Sequence, residues 1–236
     1  MIDPFVTDLT VGEKKITLCG DPASAVRAIL PTGETEENSL RDEWSAAVLG
    51  SGVPICLVSV PIRDWDRELS PWEAPAVFGG RGFGSGAADT LRFLTDELLP
   101  ELDRRFPSDA PRKNLICGYS LAGLFALWSV CRTEVFSGAA AVSPSVWFPG
   151  WEDFSAAHPP KCAAVYLSLG DREERAKNPR LAAVGDCIRA QYARLCASGV
   201  RCTLEMNPGN HFVDFERRMA KAVVWLAKNA NADSDL

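Results

Sequence analysis

The sequence has only two histidines and three methionines, and its eight cysteines include no CxxC pair. Nor does it have an apolar run long enough to span a bilayer, a cluster of lysines and arginines, an internal repeat or a low-complexity linker. Each absence excludes something. With neither histidine beside a cysteine pair, a structural zinc site is ruled out, and Cys19, Cys56, Cys117, Cys131, Cys162, Cys187, Cys196 and Cys202 read as buried, reduced thiols. With a net charge of −6, a pI near 5.1 and no basic patch, the chain offers no electrostatic footprint to nucleic acid or an anionic membrane. The opening "MIDPFVTDLTVGEKK" has neither a basic n-region nor an apolar h-region, so the expected location is cytoplasmic.

What is present is the composition of an ordinary globular protein, 47% hydrophobic and 24% charged, in 236 residues that fit one domain over 1–236. Strand patterns alternate with helical ones. "KKITLCG" (14 to 20) and "SAVRAIL" (24 to 30) read as strands, and a helix is expected to open at Ser39, where "SLRD" resembles a capping box. "VPICLVSV" (53 to 60) is the near-continuous apolar run of a strand covered on both faces. A loop rich in glycine, proline and tryptophan follows from Pro61 to Gly86, of the kind that surrounds a site. Leu91, Leu94, Leu98, Leu102 and Phe106 then define an amphipathic helix with a kink expected at Pro100. Beyond it come strand "KNLICGY", helix "SLAGLFALWSVC", strands "FSGAAAVSP" and "AAVYLSLG", a helix through Leu181 to Leu195, strand "RCTLEM" and a helix from about Val213 to Lys228. This order predicts an α/β fold with a mostly parallel sheet.

One hydroxyl stands at the strand-to-helix junction. Ser120, in Gly118-Tyr-Ser120-Leu-Ala122-Gly123, is either a helix cap or a nucleophile on a strained elbow, and the small residues at 118 and 122 suit the elbow. A serine needs a base, and histidine has the right basicity. His158, flanked by prolines in "AAHPPKC", follows Ser120 too soon. His211, in "NPGNHFVDF", lies after the last strand, where the nucleophile–acid–histidine order of an α/β-hydrolase puts its base. The acid belongs after the preceding strand, which ends "YLSLGDREER", so Asp171, Glu173 and Glu174 compete. An oxyanion hole would draw one N–H from Leu121 and another from "ILPTGET", near Thr32 and Gly33. "GFGSGA" (82 to 87) matches a dinucleotide loop in form, but the proline-bearing stretch before it is no strand, so cofactor binding is not expected.

Together, "GYSLAGLFALW", "AAVSPSVWF", "SLGDREE" and "GNHFVDFERRMAKAVVWL", with "ELSPW" upstream, resemble the Putative esterase family of the α/β-hydrolase fold over about Ile55 to Leu226. Its relatives include enterobactin-type siderophore esterases, S-formylglutathione hydrolases, feruloyl esterases and mycolyl transferases. The resemblance implies Ser120 as nucleophile, His211 as base and Leu121 as an oxyanion donor. It also points to an acid three residues after Gly170, which is Glu173, with Asp171 as the alternative. "ILPTGET" departs from the family by lacking an Asp-Gly step. No long insertion separates Val142 from Ala163, so no large lid domain is expected and the site should be open, with Trp147 and Trp151 lining an acyl or aryl pocket. The expected activity is hydrolysis of a small-molecule carboxylic ester through an acyl-enzyme, without metal or organic cofactor. The alternatives are an acyltransferase or thioesterase on the same triad, or a non-catalytic binding protein that keeps the fold.

Overall fold

A computed structural model describes residues 6–33, 48, 50–77 and 80–230. The helix expected at Ser39 lies outside the described residues. Eight described strands form one sheet: β1 (Val6–Val11), β2 (Lys14–Cys19), β3 (Val26–Thr32), β4 (Cys56–Pro61), β5 (Lys113–Tyr119), β6 (Phe136–Val142), β7 (Ala164–Gly170) and β8 (Arg201–Asn207). Their order is β1-β2-β4-β3-β5-β6-β7-β8. The first two run antiparallel to their neighbours, and the six from β4 to β8 are mutually parallel. This is the α/β-hydrolase fold.

β1, unanticipated from the sequence, pairs with β2 through a two-residue turn at Gly12-Glu13, and Gly12 has φ 56°, a value that glycine adopts without penalty. The central strands are buried along their length, so both faces must be covered. One face packs against α2 (Ala87–Arg92), α3 (Leu99–Arg105), α4 (Leu121–Arg132) and α7 (Val184–Ala197). The other packs against α8 (Phe215–Asn229) through Met219, Val223 and Leu226. Residues 121 to 131 of α4 are all buried, as an all-apolar helix against β5 and β6 requires.

Three shorter helices complete the described elements: α1 (Trp65–Glu68) within the Pro61–Gly86 stretch, α5 (Trp151–Ala157) and α6 (Pro179–Ala182). Between α2 and α3 the helix widens into a π segment over Phe93–Leu98, and the Leu99 N–H reaches back to the Leu94 carbonyl. Pro100 has no N–H for the Asp96 carbonyl and its ring would crowd that group, so the wider turn takes up the misfit. No helix among the described residues is long and apolar enough to cross a membrane.

All eight cysteines are free. Burial pushes the thiols of Cys56, Cys117, Cys131 and Cys162 up to about 12. Cys196 departs from the buried-thiol expectation: it is exposed near the end of α7, its sulfur 3.4 Å from that of Cys202 on β8.

Candidate active site

β5 ends at Tyr119, and the next residue turns the chain into α4. Ser120 makes that turn with φ 55° and ψ −118°, a conformation that a non-glycine residue holds only under constraint. The constraint comes from its backbone. Its N–H donates to the Val142 carbonyl at 3.0 Å, and its carbonyl accepts from Leu124 N at 3.1 Å and Ser145 N at 3.0 Å. A Cβ on Gly118 would overlap the main chain of Ala122, so the elbow closes only because residue 118 is glycine. Ser120 stands at the helix N-cap, yet its hydroxyl makes no capping bond. It faces open space instead, on the walls of two cavities of about 650 and 350 Å³.

His211 lies in the turn after β8, beyond Gly209, whose φ of 109° bends the chain back toward the sheet. Its Nδ1 is 2.8 Å from Oε2 of Glu173, and both side chains line the larger cavity with Ser120. Glu173 opens a single 3-10 turn (Glu173–Arg175) after β7 and is 7% exposed. Its Oε1 accepts from the Gly170 N–H at 2.7 Å, from the Ser143 hydroxyl and from Nη2 of Arg218 at 3.2 Å. Burial pushes this carboxyl up, but the hydrogen bonds from His211, Ser143 and Gly170, with the charge of His211, outweigh it. The net result is a pKa below the ordinary glutamate value.

The neighbouring carboxylates go elsewhere. Asp171 accepts from the Gly209 N–H at 2.9 Å and so ties the acid turn to the histidine turn, while Glu174 pairs with Arg189. His158 stacks on Phe154 at the end of α5, its Nδ1 2.9 Å from the Phe154 carbonyl, and lines neither cavity at Ser120. Gly84 and Gly86 of "GFGSGA" pack against α1: Gly84 N bonds Asp66 O, Gly86 N bonds Arg67 O, and a Cβ at either would strike Arg67. Their N–H groups are consumed in packing rather than offered to a phosphate.

Of the expected wall residues, Trp147 lines both cavities. Trp151 does not reach either one. It begins α5 after Gly150 (φ 79°), is 1% exposed in the core and donates from Nε1 to Gln191 at 3.0 Å. Leu121 lines the smaller cavity, and as the first residue of α4 its N–H has no partner within the helix. Thr32 ends β3, its hydroxyl 2.7 Å from that of Ser59 and its carbonyl accepting from Ile62 N. β3 and β5 pair in parallel up to Ile29 opposite Ile116, and each strand ends three residues beyond that pair, at Thr32 and Tyr119.

Three residues that the sequence reading passed over hold Glu173 and His211 in place. Arg218 of α8 is 1% exposed and reaches Glu173, the Ser143 hydroxyl and, at 2.8 Å, the Tyr119 hydroxyl. Tyr119 in turn donates to the His211 carbonyl, and its ring meets the imidazole edge-on at 5.1 Å. Ser143, with φ 45°, turns the chain off β6 beside the carboxylate. A signal existed for Arg218: Ala222 and Leu226 follow at four and eight residues, which puts it on the apolar stripe of α8.

A family model described as Putative esterase matches residues 33–226. The chain belongs to the Putative esterase family. That membership makes carboxylic ester hydrolysis its chemistry. Among solved structures, this esterase is similar to the siderophore hydrolase EstA from Aspergillus nidulans, at 18% identity and TM-score 0.71, over 96% of this chain and 94% of that one. It is also similar to the BES protein from Bacillus cereus, at 17% identity and TM-score 0.67, over 96% and 95% of the two chains. A third is the enterobactin hydrolase IroE in complex with DFP, at 16% identity and TM-score 0.66, over 94% of each chain. At these identities the likeness is one of fold. No curated protein sequence matches the chain.

Proposed function

We propose that this esterase is a serine hydrolase in which Ser120 is the nucleophile, His211 the general base and Glu173 the acid that orients it. The reading rests on one observation above all: Glu173 holds Nδ1 of His211 in the cavity that Ser120 also lines. A carboxylate on Nδ1 keeps the proton on that nitrogen and leaves Nε2 free to accept from a serine hydroxyl. The uncapped, strained Ser120 supports the same role, since a capping serine would spend its hydroxyl on α4.

In the proposed cycle His211 takes the proton of Ser120 as its Oγ attacks the ester carbonyl. The oxyanion is held by the Leu121 N–H and by a second N–H at the start of the loop after β3, around Gly33. Collapse expels the alcohol with a proton from His211. Water then repeats the sequence on the acyl-enzyme. The buried Glu173, with its charge balanced by Arg218, stabilises the imidazolium each time it forms. A small-molecule ester is the substrate. Siderophore hydrolysis, the activity named for several fold relatives, is compatible with a site that has two cavities and, among the described residues, no lid between β6 and β7, which are joined by one short helix, α5.

The test is intact mass and peptide mapping after incubation with a fluorophosphonate. One adduct on Ser120 is expected in the wild type, and none in Ser120→Ala or His211→Ala. Folded wild-type protein that stays unlabelled would sink the reading in favour of a binding protein.

A further inference from the structure

Two cavities meet at Ser120, with Trp147 in the wall of both. They differ in what else they contain. The larger, about 650 Å³, holds His211 and is walled by Leu181, Val184 and Phe212. The smaller, about 350 Å³, lacks His211 and is lined by Leu121, Trp65, Phe83, Asp66 and Arg81.

Acyl transfer tells the two apart. His211 must protonate the departing oxygen, so the alcohol half of an ester has to lie on the imidazole side. With the alcohol in the His211 cavity, the acyl chain is left the second cavity that meets at Ser120, the one lined by Leu121. We infer that this esterase selects esters of a bulky apolar alcohol, seated in the His211 cavity, with a compact hydroxyacyl group whose hydroxyl meets Asp66 and Arg81 in the Leu121 cavity. This assignment rests on the triad proposed above.

Size and chemistry both support it. At about 30 Å³ per water-sized group, the cavities hold on the order of twenty and ten non-hydrogen atoms. Phe212, 88% exposed, continues the apolar wall of the larger cavity outward, where an alcohol group would cover it. In the smaller cavity, the Asp66 carboxylate has no hydrogen bond or ion pair with any described residue. Partial burial, then the nearby charge of Asp64, raises its pKa. Arg81 pairs with Asp64 and has further N–H groups to donate. A plain alkanoyl chain would strip water from both groups and return nothing. A hydroxyl gives Asp66 a donor and Arg81 an acceptor.

The experiment is stopped-flow hydrolysis of ethyl and 2-naphthyl esters of butyrate, 3-hydroxybutyrate and octanoate by the wild type, Leu181→Trp and Asp66→Ala. Fluorophosphonate labelling of each variant checks that its site is intact. The wild type should favour 3-hydroxybutyryl over butyryl by about tenfold in kcat/KM, with octanoyl poorest. Asp66→Ala should abolish that preference, slowing 3-hydroxybutyryl esters and speeding butyryl esters, which then have no carboxylate to desolvate. Leu181→Trp should slow acylation by 2-naphthyl esters about tenfold relative to ethyl esters, and hydrolyse the shared 3-hydroxybutyryl-enzyme at the wild-type rate, because by then the alcohol has left. A hydroxyl preference untouched by Asp66→Ala, or slowed deacylation in Leu181→Trp, overturns the assignment. Wild type with neither an acyl-enzyme burst nor a Ser120 adduct instead overturns the triad beneath it.

Discussion

Replacing Glu173 by glutamine changes one oxygen to an amide nitrogen, and the structure dictates how that amide must sit. Oε1 receives three donors, from Gly170, Ser143 and Arg218, so the amide carbonyl takes its place. The NH2 then faces Nδ1 of His211 at the 2.8 Å contact and forces that nitrogen to accept. The ring proton moves to Nε2, and His211 loses the lone pair with which it deprotonates Ser120. A wrong tautomer with unchanged geometry costs about 10⁴ in kcat in the Ser-His-Asp template, so a fall of about 10³ to 10⁴ is expected.

The same substitution removes the countercharge of Arg218, itself 1% exposed. Breaking a buried pair costs about 3–5 kcal/mol, and the low end applies because the amide oxygen still accepts. At 2–4 °C per kcal/mol for a chain of this length, Tm should drop by about 6–12 °C. The native pKa of Glu173 is depressed, so its charge stabilises the fold fully above the ordinary glutamate value and loses that effect as pH falls through the native value. The variant has no such titration, so its Tm deficit should shrink on acidification. Ester hydrolysis at saturating substrate and calorimetry from neutral to acid pH measure both effects. Near-wild-type kcat in Glu173→Gln would refute the orienting role, and a deficit that widens in acid would refute the charge argument. Asp171→Asn, which alters the tie to Gly209 and a 4.0 Å ion pair with Arg172, should affect kcat far less.

Three further outcomes follow from the elbow and its supports. Ser120→Gly should abolish fluorophosphonate labelling yet raise Tm by about 2–4 °C, since it releases on the order of 1 kcal/mol of backbone strain; a lower Tm would argue that the elbow is unstrained. Gly118→Ala should yield little folded protein by circular dichroism and no esterase activity, because the added methyl overlaps the main chain of Ala122. Tyr119→Phe leaves the His211 carbonyl without its donor and Nη1 of Arg218 without its acceptor, so a loss of about 1–3 kcal/mol by denaturant titration and about tenfold in kcat is expected.

The core was legible because burial on both faces writes continuous apolar runs, as in Ile55–Val60 and Ala139–Val142. β1 was not, because "VTDLTV" buries only Leu9 and Val11 and so carries little apolar signal. The order of Ser120 and His211 along the chain pointed to the ends of β5 and β8, and the structure puts both on the wall of one cavity there. The acid could not be chosen by spacing. Asp171 and Glu173 are two residues apart, and a single 3-10 turn decides which meets the imidazole and which meets Gly209. Trp147 and Trp151 were equally obscure, since the left-handed turn at Gly150 sends the second into the core. Gly33 follows β3 as the last of the described residues 6–33, and its place beside the end of β5 is what bears on it.

Catalytic groups need positions good to about 0.5 Å, yet the proposed triad of Ser120, Glu173 and His211 lies entirely on turns, which are ordinarily the looser parts of a fold. The sheet supplies the missing rigidity by continuing past its own strands. Ser120 N bonds Val142 O across β5 and β6, Ser143 N bonds Ser168 O across β6 and β7, and Asp171 N bonds Asn207 O across β7 and β8. Each turn therefore starts in register with the strand beside it. Side chains then lock the turns to one another: Asp171 to Gly209, Ser143 to Glu173, Tyr119 to His211, with Arg218 reaching three of these groups from the helix beneath. An arginine buried this deeply is costly as a stabiliser, and an apolar side chain could fill its place on α8. Its value lies in having one position from which the acid, its serine partner and the tyrosine behind the histidine are all within reach.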